Sequence, residues 1–164
     1  MTERRATGLL AGLAAAAALA ACTAEPPSRA DLAAAAAATL QPAELQQGDV
    51  TVRASLAPSR SLNATVAKRD GVQPAPGVQL LLVGVRRGSP QGEEPLAAEV
   101  TARARDLRGV WQDVAMREVH SDGFIDYVGT TRVAPPDTLA FEVTVRHAEA
   151  QAPAVLRFSR DILP

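Results

Sequence analysis

From residue 49 the chain alternates between apolar and polar side chains. Val50, Val52, Ala54 and Leu56 are separated by Thr51, Arg53 and Ser55. A period of two puts each set on its own face of an extended strand, so this run predicts a half-buried strand that Pro58 ends. The same alternation recurs in Ala98, Val100, Ala102 and Ala104, and again in Leu139, Phe141, Val143 and Val145. Val78 to Val85 differs. It is an almost continuous apolar run, which reads as a central strand buried on both faces. A further strand is expected through Trp111, Val114, Met116 and Val119, with an irregularity between Trp111 and Val114. Two more are expected over Phe124 to Val128 and Val155 to Leu163.

Breakers separate these runs. Gly88 to Pro95 reads as a charged hairpin loop, and Leu107-Arg108-Gly109 and Pro135-Pro136-Asp137 as turns. His120-Ser121-Asp122-Gly123 reads as a tight hairpin turn, because Asp-Gly suits turns that need positive φ. Gly129 marks a bend or bulge. Leu62 to Asp70 is expected to form a short helical turn, with Asn63 as N-cap and Gly71 just past its end. Seven candidate strands over residues 49–164, with turns at this spacing, predict an all-β, immunoglobulin-like antiparallel β-sandwich without its disulfide. An open barrel is the alternative.

The first part of the chain has a different character. Arg4 and Arg5 precede an apolar, alanine-rich run from Ala6 to Ala21, and Leu19-Ala20-Ala21-Cys22 ends it. A positive start, a short apolar core and small residues before a cut form a secretory signal. A stable bilayer-spanning helix takes about 20 predominantly apolar residues, more than this run supplies. A cysteine directly after the small residues looks like a bacterial lipobox, whose thiol accepts diacylglycerol. Residues 1–21 are therefore expected to be a lipoprotein signal peptide and Cys22 the lipidated first residue of the mature chain. Residues 22–47, with Pro26-Pro27, an alanine tract over Ala33 to Ala38, and Pro42, read as a flexible tether. Residues 48–164 are the sandwich domain. Ala24 stands where an Asp would signal inner-membrane retention, so the outer membrane is favoured, with the domain on the periplasmic face of the envelope.

Composition narrows the chemistry. Removal of residues 1–21 leaves 143 residues, enough for one domain with a real core. The net charge of −1 provides no electrostatic footprint for nucleic acid. Cys22 is the only cysteine, so no disulfide can form within the chain. The few aromatics, Trp111, Phe124, Tyr127, Phe141 and Phe158, all lie in the second half. Their scarcity places Trp111 and Tyr127 in the core, with interface anchors as the other reading. Arg53, Arg103, Arg105, Arg132, Arg146 and Arg157 fall on polar faces or edges, where they oppose edge-to-edge association.

Candidate catalytic groups are sparse. His120 and His147 are the only histidines, and Met1 and Met116 the only methionines. Ser121 and Asp122 neighbour His120, but neighbours in sequence do not make a triad, and no Gly-x-Ser-x-Gly elbow is present. Glu118 and Asp126 are the one pair of carboxylates that can face each other across the hairpin. The residues are read as those of a non-enzyme with no cofactor and no metal. A pocket gathering His120, Glu118 and Asp126 would argue for a small hydrolase instead.

Several stretches of the second half carry a family resemblance. They are Arg117-Glu118-Val119, Tyr127-Val128-Gly129-Thr130 and Leu139-Ala140-Phe141-Glu142-Val143. Val66-Ala67-Lys68-Arg69-Asp70-Gly71-Val72 and Gly48-Asp49-Val50 add to them. In this order and spacing the chain resembles the exported proteobacterial proteins grouped as domain of unknown function 4426, over most of residues 46–164. It departs from that pattern at Gln73-Pro74-Ala75-Pro76 and at Thr131. The resemblance implies no catalytic, cofactor or ligand residues. The expectation is thus an envelope lipoprotein, bound to the membrane through Cys22, acting as a binding or accessory module on an envelope protein partner. A purely structural lipoprotein is the alternative.

Overall fold

The computed structural model describes residues 41–164, with the exception of Asp122. The expected signal peptide, Cys22 and most of the expected tether lie outside the described residues.

The alternation becomes two antiparallel sheets packed face to face. The first contains β1 (Ala43–Gln47), β2 (Val50–Pro58), β3 (Val78–Arg87), β7 (Arg117–Ser121) and β8 (Phe124–Arg132). Their order is β1-β2-β3-β8-β7, and the two-residue β4 (Glu94–Pro95) pairs with β3. The second contains β5 (Glu99–Arg105), β6 (Trp111–Val114), β9 (Asp137–Arg146) and β10 (Ala154–Ile162), in the order β10-β9-β5-β6. The fold is the β-sandwich that the pattern predicts, with ten strands among the described residues rather than seven.

Register follows burial. Val52, Ala54, Leu81, Val83 and Val85 point inward from the first sheet, and Val100, Ala104, Leu139, Phe141, Val143 and Leu156 from the second. Each fully buried Val or Leu contributes about 1.5–3 kcal/mol. Phe158 stacks on Phe141 at 5.0 Å between ring centroids. The outer face of the first sheet is partly covered by a short helix, α1 (Ala64–Arg69). Its N-terminus is capped as predicted: the Val66 amide donates to Asn63 Oδ1 at 2.9 Å. Gly71 beyond it has φ +50°. Val72 packs there on Leu80 and Val128, with Leu62 and Val119 at the margin.

Four expectations are corrected. The sheet begins earlier than residue 48: Ala43 to Gln47 pair with Ala54 to Val50 of β2, inside the stretch read as tether. The backbone edge of β2 and the Glu44–Arg53 ion pair at 2.8 Å hold this mostly polar strand. β3 is buried on both faces only as far as Leu81, and Leu82 reaches solvent beyond the cover of Leu62 and Val72. The loop from Gly88 to Pro95 contains β4, tied to β2 by Arg53 bonding Glu93 at 2.6 and 2.8 Å.

The fourth correction bears on topology. Trp111 to Val119 is two strands, not one irregular strand. β6 lies in the second sheet and β7 in the first, and Ala115-Met116 carry the chain across. Gly129 on β8 makes room for this crossing. A Cβ there would stand 2.7 Å from Met116 Sδ and from Val114 Cγ1. The expected bend at Gly129 is a close approach between chain segments.

Candidate functional site

The carboxylates and histidine flagged by the sequence do not assemble into one site. Glu118 pairs with Tyr127 across the β7–β8 ladder, whereas Asp126 pairs with Val119. Adjacent positions on a strand face opposite ways, so Glu118 and Asp126 lie on opposite faces of the sheet. Asp126 binds Arg86 at 2.6 Å on the outer face. Glu118 accepts from the Tyr127 hydroxyl at 2.9 Å and lies 2.6 Å from His120 Nε2. The His120 and Tyr127 contacts hold the Glu118 carboxyl below its ordinary range. Burial pushes the Tyr127 phenol up. This cluster ties the edge strand β7 to the core. No pocket gathers His120, Glu118 and Asp126, and no group of three or more His, Cys, Asp or Glu among the described residues is placed to hold a metal.

Trp111 departs from its expected core position. It is 44% exposed, on the outer face of the edge strand β6. The guanidinium groups of Arg103 and Arg105 lie 4.3 and 5.2 Å from its ring. Tyr127 is in the core as expected, 4% exposed. Its hydroxyl also accepts the Ala98 amide proton at 2.7 Å.

A concavity lies at one end of the sandwich, where three loops meet. They are the segment entering β3, the turn between β5 and β6, and the turn between β8 and β9. Two aspartates shape it. Asp106 folds the β5–β6 turn by accepting from the Val110 amide at 2.9 Å and from Arg108 at 2.8 and 3.1 Å. The Val110 amide foremost, with Arg108, keeps the Asp106 carboxyl below its usual range. Asp137 accepts from the Leu107 amide at 3.0 Å and from the Thr138 amide at 2.7 Å, joining two loops. Behind them the Val133 amide donates to the Gly77 carbonyl at 2.8 Å. Gly77 has φ +69°, and a Cβ there would approach the Val133 carbonyl oxygen to 2.5 Å, so only glycine fits.

The result is an open cleft of about 850 Å³. Pro76, Leu107, Val110, Val133, Ala134, Pro135 and Pro136 line it, with Arg108, Gln112 and Arg132 among its polar residues. Leu107 and Val110 are 72% and 56% exposed. An apolar wall with a few polar groups is the makeup of a binding site. The lining holds no serine, threonine, cysteine, histidine or lysine, and its two aspartates, Asp106 and Asp137, are occupied by backbone amides. Two of these loops, at Leu107-Arg108-Gly109 and Pro135-Pro136-Asp137, read as turns in the sequence. The missed signal is the apolar pair Leu107 and Val110 in a turn that polar residues would normally fill.

The family model described as "Domain of unknown function (DUF4426)" matches residues 44–164, which include every stretch quoted for the resemblance. The chain belongs to the DUF4426 family. Among solved structures, this DUF4426 chain is similar to a DUF4426 family protein from Pseudomonas aeruginosa PAO1. The two are 23% identical with a TM-score of 0.65, over 75% of this chain and 95% of that one. FetP of uropathogenic Escherichia coli strain F11, recombinantly expressed in the periplasm of E. coli, shares the fold at 8% identity. Its TM-score is 0.55, over 74% of this chain and 95% of that one. A copper-bound variant of FetP matches at 9% identity and a TM-score of 0.51, over 75% of this chain and 92% of that one. No curated protein matches.

Proposed function

We propose that this DUF4426 protein is an envelope lipoprotein, anchored through Cys22, whose sandwich is a non-catalytic binding module. The observation that carries the anchor is Cys22 itself: the only cysteine, directly after Leu19-Ala20-Ala21, at the end of a short apolar run behind Arg4 and Arg5. Each buried methylene of an attached chain contributes about 0.8 kcal/mol, so two or three acyl chains hold a protein on a bilayer effectively for good. The lack of an Asp close after Cys22 favours the outer membrane, with the domain in the periplasm. Expression of the fold-sharing FetP in the periplasm is compatible with that address. The cleft supports binding, because an apolar wall with a few polar groups suits recognition.

The experiment is a fractionation with Cys22→Ser, combined with a photo-crosslinking side chain in place of Ala134, which is exposed in the cleft lining. The native chain is expected in the membrane fraction with acylated Cys22, and to form a discrete adduct from position 134. Cys22→Ser is expected in the soluble or unprocessed fraction. A processed Cys22→Ser chain that still partitions with membranes refutes the anchor. An anchored chain with no adduct from position 134 refutes the binding role of the cleft.

A further inference from the structure

Exposed apolar side chains are unevenly placed on this domain. Among the described residues the large exposed ones are Leu82, Leu107, Val110, Trp111, Phe124 and Leu163. Four of these six lie at the cleft end. Leu107 and Val110 are in the β5–β6 turn, and Trp111 opens β6 opposite Arg105. Leu163, 77% exposed, follows Ile162, which pairs with Asp137 of the cleft. Clustered exposed apolar groups on a folded domain mark a surface that meets something.

The chain enters at this same end. Arg160 donates to the Gln41 carbonyl at 2.7 Å, and Arg160 pairs with Leu139, two positions inside Asp137. Eighteen residues separate Cys22 from Gln41. As a coil they span roughly 25 Å. β3 has ten residues, and at about 3.3 Å per residue the sandwich is roughly 30 Å long. A linker of that reach, joined at the cleft end, brings that end to the bilayer before the opposite one.

Arginines outnumber acids here. Arg60, Arg105, Arg108, Arg132 and Arg160 lie at this end with Asp106, Asp137 and Asp161, and Asp106 holds Arg108 at 2.8 Å. Trp111 beside Arg103 and Arg105 combines a ring and cations that favour the headgroup region of a membrane.

We propose that the cleft end of the sandwich, with Leu107, Val110, Trp111 and Leu163, rests on the lipid bilayer that carries the anchor. This rests on the anchor reading and adds an orientation to it. The cleft then opens at the membrane surface, and its ligand is met there.

Trp111 is the only tryptophan, so its fluorescence reports this surface alone. The native acylated protein is reconstituted into phosphatidylethanolamine–phosphatidylglycerol vesicles with and without brominated acyl chains. The expected result is roughly a halving of Trp111 emission by the brominated lipid, as for a ring seated at the headgroup–acyl boundary. Leu107→Asp with Val110→Asp should remove the quenching, and Phe124→Asp, at the other end, should leave it. The mass of the N-terminal peptide is read on the same sample. Acylated protein whose Trp111 is unquenched overturns this inference and leaves the anchor reading standing. Protein without acyl groups refutes the anchor reading. In that case quenching of the unacylated chain by the same vesicles supports the surface, and no quenching overturns it.

Discussion

The Tyr127 hydroxyl takes the Ala98 amide proton and gives its own to Glu118. One side chain thereby fills the core and satisfies a backbone donor on the segment leading into β5. Tyr127→Phe keeps the ring and removes both bonds. Loss of the acceptor for a partly buried amide costs about 1–3 kcal/mol. The expected outcome is a lower denaturant midpoint at unchanged m-value, measured by equilibrium unfolding. The sequence marks Tyr127 as a core residue because aromatics are scarce. It does not show the bonds, because Ala98 reaches the hydroxyl only where the two sheets meet, and Glu118 only through the register of the β7–β8 ladder. Trp111 was misplaced on the same reasoning: β6 is an edge strand, and its outer face has arginines for company instead of a core.

β6 and β7 show where alternation stops being informative. Strands with one buried face are readable, since each register slip would bury their polar set. Hence β2, β5, β9 and β10 lie close to where the pattern puts them. β1 is not readable in this way. Ala-Glu-Leu-Gln-Gln has little apolar content, and its stability comes from the exposed edge of β2 and from Arg53. The split between β6 and β7 leaves no mark of its own in the pattern: the irregularity lies between Trp111 and Val114, inside β6, and the chain changes sheets at Ala115-Met116, where the inside face reverses. The cleft is still less visible, since it depends on which turns the strand order brings together. The crossing itself is testable. Gly129→Ala puts a methyl 2.7 Å from Met116 and Val114 and 3.0 Å from the Ala115 carbonyl oxygen. Overpacking of this kind costs about 1–3 kcal/mol. Gly92→Ala, with nothing within 4 Å of its Cβ, is the control and should stay within about 0.5 kcal/mol of wild type. Thermal or chemical unfolding of the two variants side by side makes the comparison.

Taken whole, the domain is held by packing and by a mesh of arginine–carboxylate pairs on its surface. Arg103 and Arg157 both bind Glu142, at 2.7 and 2.8 Å. Arg53 joins Glu44 and Glu93. Arg53 holds the Glu93 carboxyl below its ordinary value, Arg103 and Arg157 that of Glu142, His120 and Tyr127 that of Glu118, and the Val110 amide with Arg108 that of Asp106. A carboxyl depressed in the folded state contributes stability above its unfolded pKa and loses it as the pH falls through the folded one. The ordinary values are 4.5 for Glu and 3.8 for Asp. Stability should therefore be level above about pH 5 and decline below it, and salt should shrink the difference because these pairs are exposed. Urea midpoints at neutral and acid pH, at low and high salt, check this.

The strand change at Ala115-Met116 has a mechanical consequence. Two residues of covalent chain fasten the β6 and β7 edges of the sheets together, in a domain that has no cross-link to do so. At the other edge β1 and β10 are joined only by non-covalent contacts, among them the Arg160 bond to Gln41. Of the two edges of the sandwich, one is thus closed by the chain itself and the other is not. A load applied through residue 41, as the proposed anchor would apply it, opens the sandwich from that second edge.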